Sequence, residues 1–435
     1  MVAYCCESIF LPSCLSDAYP MHDLNRRDCL KFGAATLAGV IVPSMTSAKP
    51  PEAVKSVAAV LTIYRHKSHA DVLIGKILEG WKQDGGAGPA LKLASLYVDQ
   101  FPKDDLARKI SKKFGVPIFD SIEKAVTVGG DRIPVDGVIS IGEHGDYPMN
   151  ERGQHLYPRR RFFEEISNTF EKFGRVVPVF SDKHLGPVWT DAKWMVDRAK
   201  KLKIPFMAGS SLPVSFRTPE IDVPMGCEIE SAVGIGYSGL DVYGSHALEC
   251  YQALVERRRD AERGVKWVQF LQGKAMWKAV DDGLVANDVL EAAFAVVPKV
   301  GKKAMRQDEN AALILFEYTD GLRGAQFMFQ CISRTAVALK LKGQRQPIAT
   351  GFEERREPNH PHFAYLLKAI ETMIHTGKPS YPVEHTLLTS GILDRAIASR
   401  AQDGVKLETP ELAIAYTPAN YPHAPYPELL AVPKS

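Results

Sequence analysis

Between residues 57 and 209, short apolar runs alternate with longer stretches whose apolar positions recur every three or four residues. The runs at 57–64 (VAAVLTIY), 91–99 (LKLASLYVD), 116–119, 135–141 (VDGVISI), 176–180 and 204–209 read as strands. The stretches at 70–81, 104–114, 121–126, 158–173 and 190–202 read as helices. Regular alternation of this kind predicts a parallel, doubly wound sheet with helices on both faces, an α/β Rossmann-like domain over residues 51–215.

After residue 215 the pattern changes. A helix is expected over 245–259, then strand-like runs at 265–271, 311–318, 323–332 and 335–341, with Asp320-Gly321 as a hairpin signal. Helical periodicity returns at 362–375 and 385–400, ahead of a proline-rich tail. The second part, 216–435, therefore reads as a C-terminal α+β domain built on a mostly antiparallel open sheet.

Composition narrows the function classes. The chain has 435 residues, 45% of them apolar, which is enough to bury a core in each domain. A net charge of +3 is too small to argue for a nucleic acid partner, and no unbroken apolar run reaches the length of a membrane span.

Residues 1–50 read as an address rather than as fold. Asn25 to Lys31 (NRRDCLK) is similar to a twin-arginine export motif, followed by an apolar run from Phe32 to Val42 and by small residues at Thr46-Ser47-Ala48. Twenty residues ahead of such a signal are unusual, which makes Met21 an alternative start. A periplasmic protein, exported in folded form, is the expectation. Cys5, Cys6, Cys14 and Cys29 fall in this segment, leaving Cys227, Cys250 and Cys331 too sparse for a disulfide framework or a zinc site.

The stretch Tyr237 to Arg259 draws titratable groups, glycines and a helical pattern together, with His246 and Cys250 one turn apart on one face. A reactive edge and an ordinary buried face both fit that spacing.

Five ordered segments carry a resemblance: 96–126, 136–148 (DGVISIGEHGDYP), 178–209, 239–249 (GLDVYGSHALE) and 369–399. Their order and spacing resemble the glucose-fructose oxidoreductase and inositol dehydrogenase (Gfo/Idh/MocA) family. The resemblance implies an N-terminal NAD(P)-binding domain, a C-terminal domain whose open sheet often joins copies into oligomers, and hydride chemistry on sugars or polyols.

Residue by residue, the match is uneven. The first βα turn of that family carries glycines that let the backbone approach a pyrophosphate, whereas Thr62 to Asp71 contains none. The resemblance puts Tyr64, Arg65, Ser68 and His69 at the nucleotide, with Arg65 and Ser68 offering replacement phosphate contacts, and Asp99 at the adenosine ribose. Gly142, Glu143 and His144 end the strand at 135–141, on the edge of an open sheet where ligands bind. They stand near the nicotinamide in this reading.

Two catalytic positions follow from the resemblance. Ser181-Asp182-Lys183-His184 matches a Glu-Lys-Pro motif, which makes Lys183 the residue that orients a substrate hydroxyl. His246 matches the general base, but Val242 occupies the place of its carboxylate partner. Asp241 is one residue early and five residues turn through about 140° on a straight helix, so a bend at Gly244 or a substitution by Tyr243 is needed to supply a partner.

No metal is implied, because His360-Pro361-His362 has no carboxylate or cysteine at ligand spacing and reads as a loop leading into a helix. Arg159-Arg160-Arg161 and Arg257-Arg258-Arg259 read as solvated helix ends. The leading expectation is an NAD(P)-dependent oxidoreductase for a sugar or polyol. The alternatives are a non-catalytic carbohydrate-binding or scaffold protein, and a lyase or glycoside-cleaving variant of the same fold.

Overall fold

A computed structural model describes residues 53–425 except 302 and 303, so the export reading and its cysteines lie outside the described residues. The described residues form one unit.

Its first layer is built from β1 (Lys55–Leu61), α1 (His69–Glu79), β2 (Leu91–Val98), α2 (Ala107–Phe114), β3 (Ile118–Phe119), α3 (Ile122–Thr127), β4 (Gly137–Ile141), α4 (Arg159–Phe173), β5 (Val179–Asp182), α5 (Trp189–Leu202) and β6 (Phe206–Gly209). The strands run parallel in the order β3-β2-β1-β4-β5-β6. Residues 57–61 of β1 are completely buried, which requires cover on both faces. Ala58 and Val60 pack with Phe162 and Phe163 of α4, while Val57, Ala59 and Leu61 pack with Leu73 and Ile74 of α1. This is the two-residue period of a strand feeding two cores. The strand order reverses between β1 and β4, opening a crevice at their carboxyl ends.

The second layer contains β7 (Phe216–Thr218), β8 (Ile229–Tyr237), α6 (Leu240–Val255), β9 (Val265–Gln272), α7 (Gly273–Asp281), α8 (Asn287–Ala295), β10 (Ala312–Tyr318), β11 (Arg323–Phe329), β12 (Thr335–Leu341) and β13 (Ile348–Glu353). Helices α9 (His362–Thr376) and α10 (Val383–Arg400) follow, then the short β14 (Leu407–Glu408). The eight strands are ordered β14-β9-β10-β11-β8-β12-β13-β7 and pair antiparallel except at β11 and β8.

Several features depart from the sequence reading, among them the strands β7, β13 and β14, for which no run was expected. The central strand β8 was not expected. Its Gly234 and Gly236 lower strand propensity, but Gln326 and Met328 from β11 fill the space where their side chains would stand. Helices α7 and α8 cover one face of this sheet, with Met276, Val289 and Leu290 packed on Leu313, Phe327 and Phe329. Helix α6 starts at Leu240 rather than Ser245 and ends at Val255, running through Gly244.

The chain also returns to its first layer. Leu366, Ile370 and Met373 of α9 share a core with β1 and α1, and α10 packs against α5 and α6. Helix α9 thereby places His362 and Phe363 on the wall of a cavity beside the first sheet.

Candidate active site

The carboxyl ends of β4, β5 and β6 and the first half of α6 converge on one buried cluster. Lys183 follows β5 directly, and its amide donates to the Gly209 carbonyl at 3.1 Å. Its φ of +70° lies in the left-handed region, disfavoured for a side-chain-bearing residue. His144, Lys67 and His360, around the same cavity, also have positive φ. Backbone strain concentrated at one wall is a mark of functional sites.

The Lys183 Nζ donates to Nε2 of His246, whose Nδ1 faces the Ser210 hydroxyl. The Ser210 amide in turn donates to Glu249 at 2.5 Å. Burial and then the Lys183 charge hold His246 well below its ordinary value, so its imidazole is neutral at pH 7. A neutral ring accepting at Nε2 carries its proton on Nδ1.

On the other side, Lys183 Nζ lies 3.0 Å from Glu143 Oε1. His69 Nδ1 lies 2.7 Å from Asp182 Oδ2 and 3.2 Å from Glu143 Oε2. Burial alone raises the Glu143 carboxyl, but His69, Lys183, His144 and Arg159 together keep it well below the usual carboxylate range. Glu143 is thus held as an anion, with the Lys183 ammonium at 3.0 Å.

This cluster forms the floor of a cavity of about 200 Å³, whose wall also includes Tyr243, His360 and His362. Burial and then His360 push His362 down to about 3. A second, open cleft of about 520 Å³ adjoins it through His144 and is lined by Ile63, Arg65, Gln100 and Tyr157. The cleft sits at the reversal between β1 and β4, where open α/β sheets bind ligands.

The expected cofactor residues divide into three groups. Arg65 and His144 line the cleft, and Glu143 and His69 belong to the inner cluster. Tyr64 does not reach the cleft: it is fully buried in the core of the first layer. Ser68 is spent as the cap of α1, accepting from the amides of Asp71 at 3.4 Å and Arg65 at 3.3 Å. The Asp71 carboxylate takes the Lys67 amide at 2.8 Å, placing an anion where a pyrophosphate would seek that helix end. Gly142 is needed for packing, because a Cβ there would stand 2.7 Å from Arg159 Cγ.

Asp99 is saturated by the chain's own donors. Tyr97, Tyr147 and Arg161 reach it at 2.6, 2.7 and 2.7 Å. Burial opposes its charge, yet those three donors lower its carboxyl below the ordinary value.

The partner expected for His246 is not Asp241. That carboxylate lies 3.0 Å from the His155 ring and accepts from the His155 amide at 3.3 Å. Since α6 is continuous through Gly244, no bend turns Asp241 toward His246. The Tyr243 ring lies 5.9 Å from the His246 ring, centroid to centroid, and packs on Tyr237 at 4.7 Å.

The arginine runs are solvated only in part: Arg161 and Arg259 are exposed, whereas Arg159 and Arg258 are buried. Arg159 is 3% exposed and donates through Nη1 to His184 Nε2 at 3.1 Å, while His184 donates through Nδ1 to the Gly186 carbonyl at 2.8 Å. Burial and the Arg159 charge push His184 down to about 3. Arg160 stacks over Trp194 at 3.3 Å, and Arg258 is buried against Glu262 at 2.9 Å and Asp320 at 2.6 Å. Arg159 at the amino end of α4 opposes the helix dipole, a conflict that signals a specific partner. Ser210 was missed because a lone serine after a strand carries no pattern.

No family model matches the sequence, and no curated protein matches it. Solved structures do share its fold. GenD2 from gentamicin A biosynthesis in complex with NAD is 12% identical, with a TM-score of 0.51 over 82% of this chain and 96% of that one. Apo scyllo-inositol dehydrogenase from Lactobacillus casei is 9% identical, with a TM-score of 0.52 over 82% and 98%. An NAD binding oxidoreductase from Klebsiella pneumoniae is 12% identical, with a TM-score of 0.50 over 82% and 99%. The chain thus has the two-layer fold of the Gfo/Idh/MocA-type dehydrogenases.

Proposed function

We propose that this chain is an oxidoreductase that acts on a hydroxyl of a sugar or polyol with NAD or NADP as the hydride carrier. The observation that carries this reading is the hydrogen bond between Lys183 and a neutral His246, at a cavity that adjoins the crevice of a dehydrogenase fold.

A dinucleotide suits the cleft by position and size, with Arg65 and His144 on its wall. Binding at Asp99 requires the ribose hydroxyls to replace Tyr147 or Arg161, whose hydrogen bonds are of the kind a ribose would offer. A nicotinamide held in this cleft would supply the hydride acceptor. The chain's own residues handle the proton: Lys183 Nζ takes it from the substrate hydroxyl while passing one of its own to His246 Nε2, and Ser210 holds the His246 ring in register. Glu143 fixes the ammonium from the opposite side.

Titration calorimetry with NAD and with NADP tests this directly. Heat with either nucleotide supports the reading, and heat with a sugar but with neither nucleotide overturns it. The second reading, a carbohydrate-binding or lyase protein on the same fold, is favoured by the engaged amides before α1 and the occupied Asp99.

The twin-arginine-like segment supports export to the periplasm. Terminal sequencing of the native protein tests that; a mature end at Val2 or Ala3 excludes it. Oligomers through the second sheet are part of the same proposal, and with α7 and α8 on one face of that sheet such contacts would involve these helices. Light scattering reads the assembly state.

A further inference from the structure

His69, Glu143 and Asp182 are brought together from the start of α1 and the ends of β4 and β5, each offering a ligand atom within 4.8 Å of the others. We infer that these three residues form a binding site for a divalent transition-metal cation of the Zn²⁺ or Mn²⁺ type. This inference does not depend on the dinucleotide reading.

The distances suit it. Metal bonds to imidazole nitrogen and carboxylate oxygen run about 2.0–2.2 Å, so adjacent ligands on one ion stand about 3 Å apart. The two oxygens lie 2.7 and 3.2 Å from His69 Nδ1. Both converge on one nitrogen, which carries at most one proton to share.

Two buried oxygens support the same conclusion. Asp182 is completely buried, yet its Oδ1 has no hydrogen-bond partner, and Glu143 Oε2, aimed at His69, has none of acceptable geometry. An orphaned carboxylate oxygen at such depth is costly and calls for a partner of its own. Lys183 takes Glu143 Oε1, which leaves Oε2 turned toward the cluster, an orientation from outside the ligand set that metal sites commonly use. Phe363 sets the His69 ring edge-on at 4.8 Å between centroids.

One imidazole and two carboxylates suit borderline cations over Mg²⁺ or Ca²⁺, which prefer all-oxygen ligands. His69 and Glu143 both line the cavity, so the ion has an open side on which vicinal substrate hydroxyls bind. Lys183 is the competing cation, and its charge weakens metal binding without abolishing it.

The test uses the full chain stripped with EDTA and dialysed, titrated with ZnCl₂ and with MnCl₂ by calorimetry, and with Co²⁺ by visible absorption. The expected result is one ion per chain with Co²⁺ bands typical of nitrogen and oxygen ligation. The isosteric variant Asp182→Asn should weaken binding about 10-fold or more, and Lys183→Met should keep or tighten it. Absence of uptake at millimolar metal, or equal affinity in Asp182→Asn with an unchanged melting curve, overturns the site and marks the cluster as a histidine hydrogen-bonded between two carboxyl groups. A parallel NAD titration of the metal-free chain reads the dinucleotide proposal separately.

Discussion

Lys183 Nζ and His246 Nε2 are hydrogen-bonded across the gap between β5 and α6, joining residues 63 positions apart in the chain. Glu143 anchors the lysine from one side and Ser210 the histidine from the other. Every prediction about catalysis starts from this line of four groups.

Lys183→Ala and His246→Ala should each lower turnover about 100-fold or more, since each removes one station of the proton path. Ser210→Ala leaves both stations present and should cost about 10-fold, the scale of one lost hydrogen bond. Steady-state rates on any accepted polyol check this. Unchanged rates in both alanine variants would falsify the assignment.

Asp241→Asn should change turnover less than about threefold, because the carboxylate is engaged with His155 and not with His246. Loss comparable to that of His246→Ala would restore Asp241 as the partner of the base.

Tyr147→Phe should tighten NAD or NADP binding by about 3- to 10-fold, the value of one hydrogen bond that no longer competes for Asp99. Calorimetric affinities for wild type and variant measure it. Weaker binding in the variant would show that Tyr147 holds the nucleotide instead of excluding it.

His385 gives the chain a pH dependence. Burial lowers its value, but the Glu256 charge and a 2.6 Å hydrogen bond outweigh burial and leave it raised. Buried Glu249 also faces it, and Tyr416 donates to the same Glu256 oxygen at 2.7 Å. A raised folded value means that the protonated ring stabilises the fold fully below the unfolded value of about 6.5 and that this contribution is lost as pH rises through the folded value. Urea midpoints taken from pH 6 upward should therefore fall more in wild type than in His385→Gln. Parallel curves would remove the ion pair from the stability balance.

Gly209 has φ +124°, and a Cβ there would meet Thr386 Oγ1 at 2.8 Å and Glu249 Oε1 at 2.9 Å. Gly209→Ala should cost about 1–3 kcal/mol by backbone strain and should also move Ser210 off the His246 ring. Thermal melting reads the first effect, and a lower turnover in the surviving folded fraction reads the second.

The alternation of strand and helix from β1 to β6 was legible in the sequence because it is local. A strand buried on both faces must be apolar along its length, and a covering helix must repeat its apolar positions every three or four residues. The strand β8 was hidden for the opposite reason, since Gly234 and Gly236 weaken the local signal and gain their fit only from Gln326 and Met328 across the sheet. The continuity of α6 was lost the same way, at Gly244, whose place in a helix is decided by packing on Leu393.

In the site, Lys183 and His246 could be named from the family resemblance, and Glu143 and His144 from their place at the end of a strand, but their partners could not. Sequence spacing carries a ligand pair only when both members share one element, as two residues a turn apart on a helix do. His69, Glu143 and Asp182 come from three separate element ends, and the parallel sheet brings those ends together. The same is true of Arg159 with His184, and of Asp99 with Tyr147 and Arg161. The chain by itself determined which segments are strands and helices and which titratable side chains stand at the strand ends. Only the tertiary structure decided which of them touch, because hydrogen bonds and ion pairs are set by distances of about 3 Å that no interval along the chain encodes.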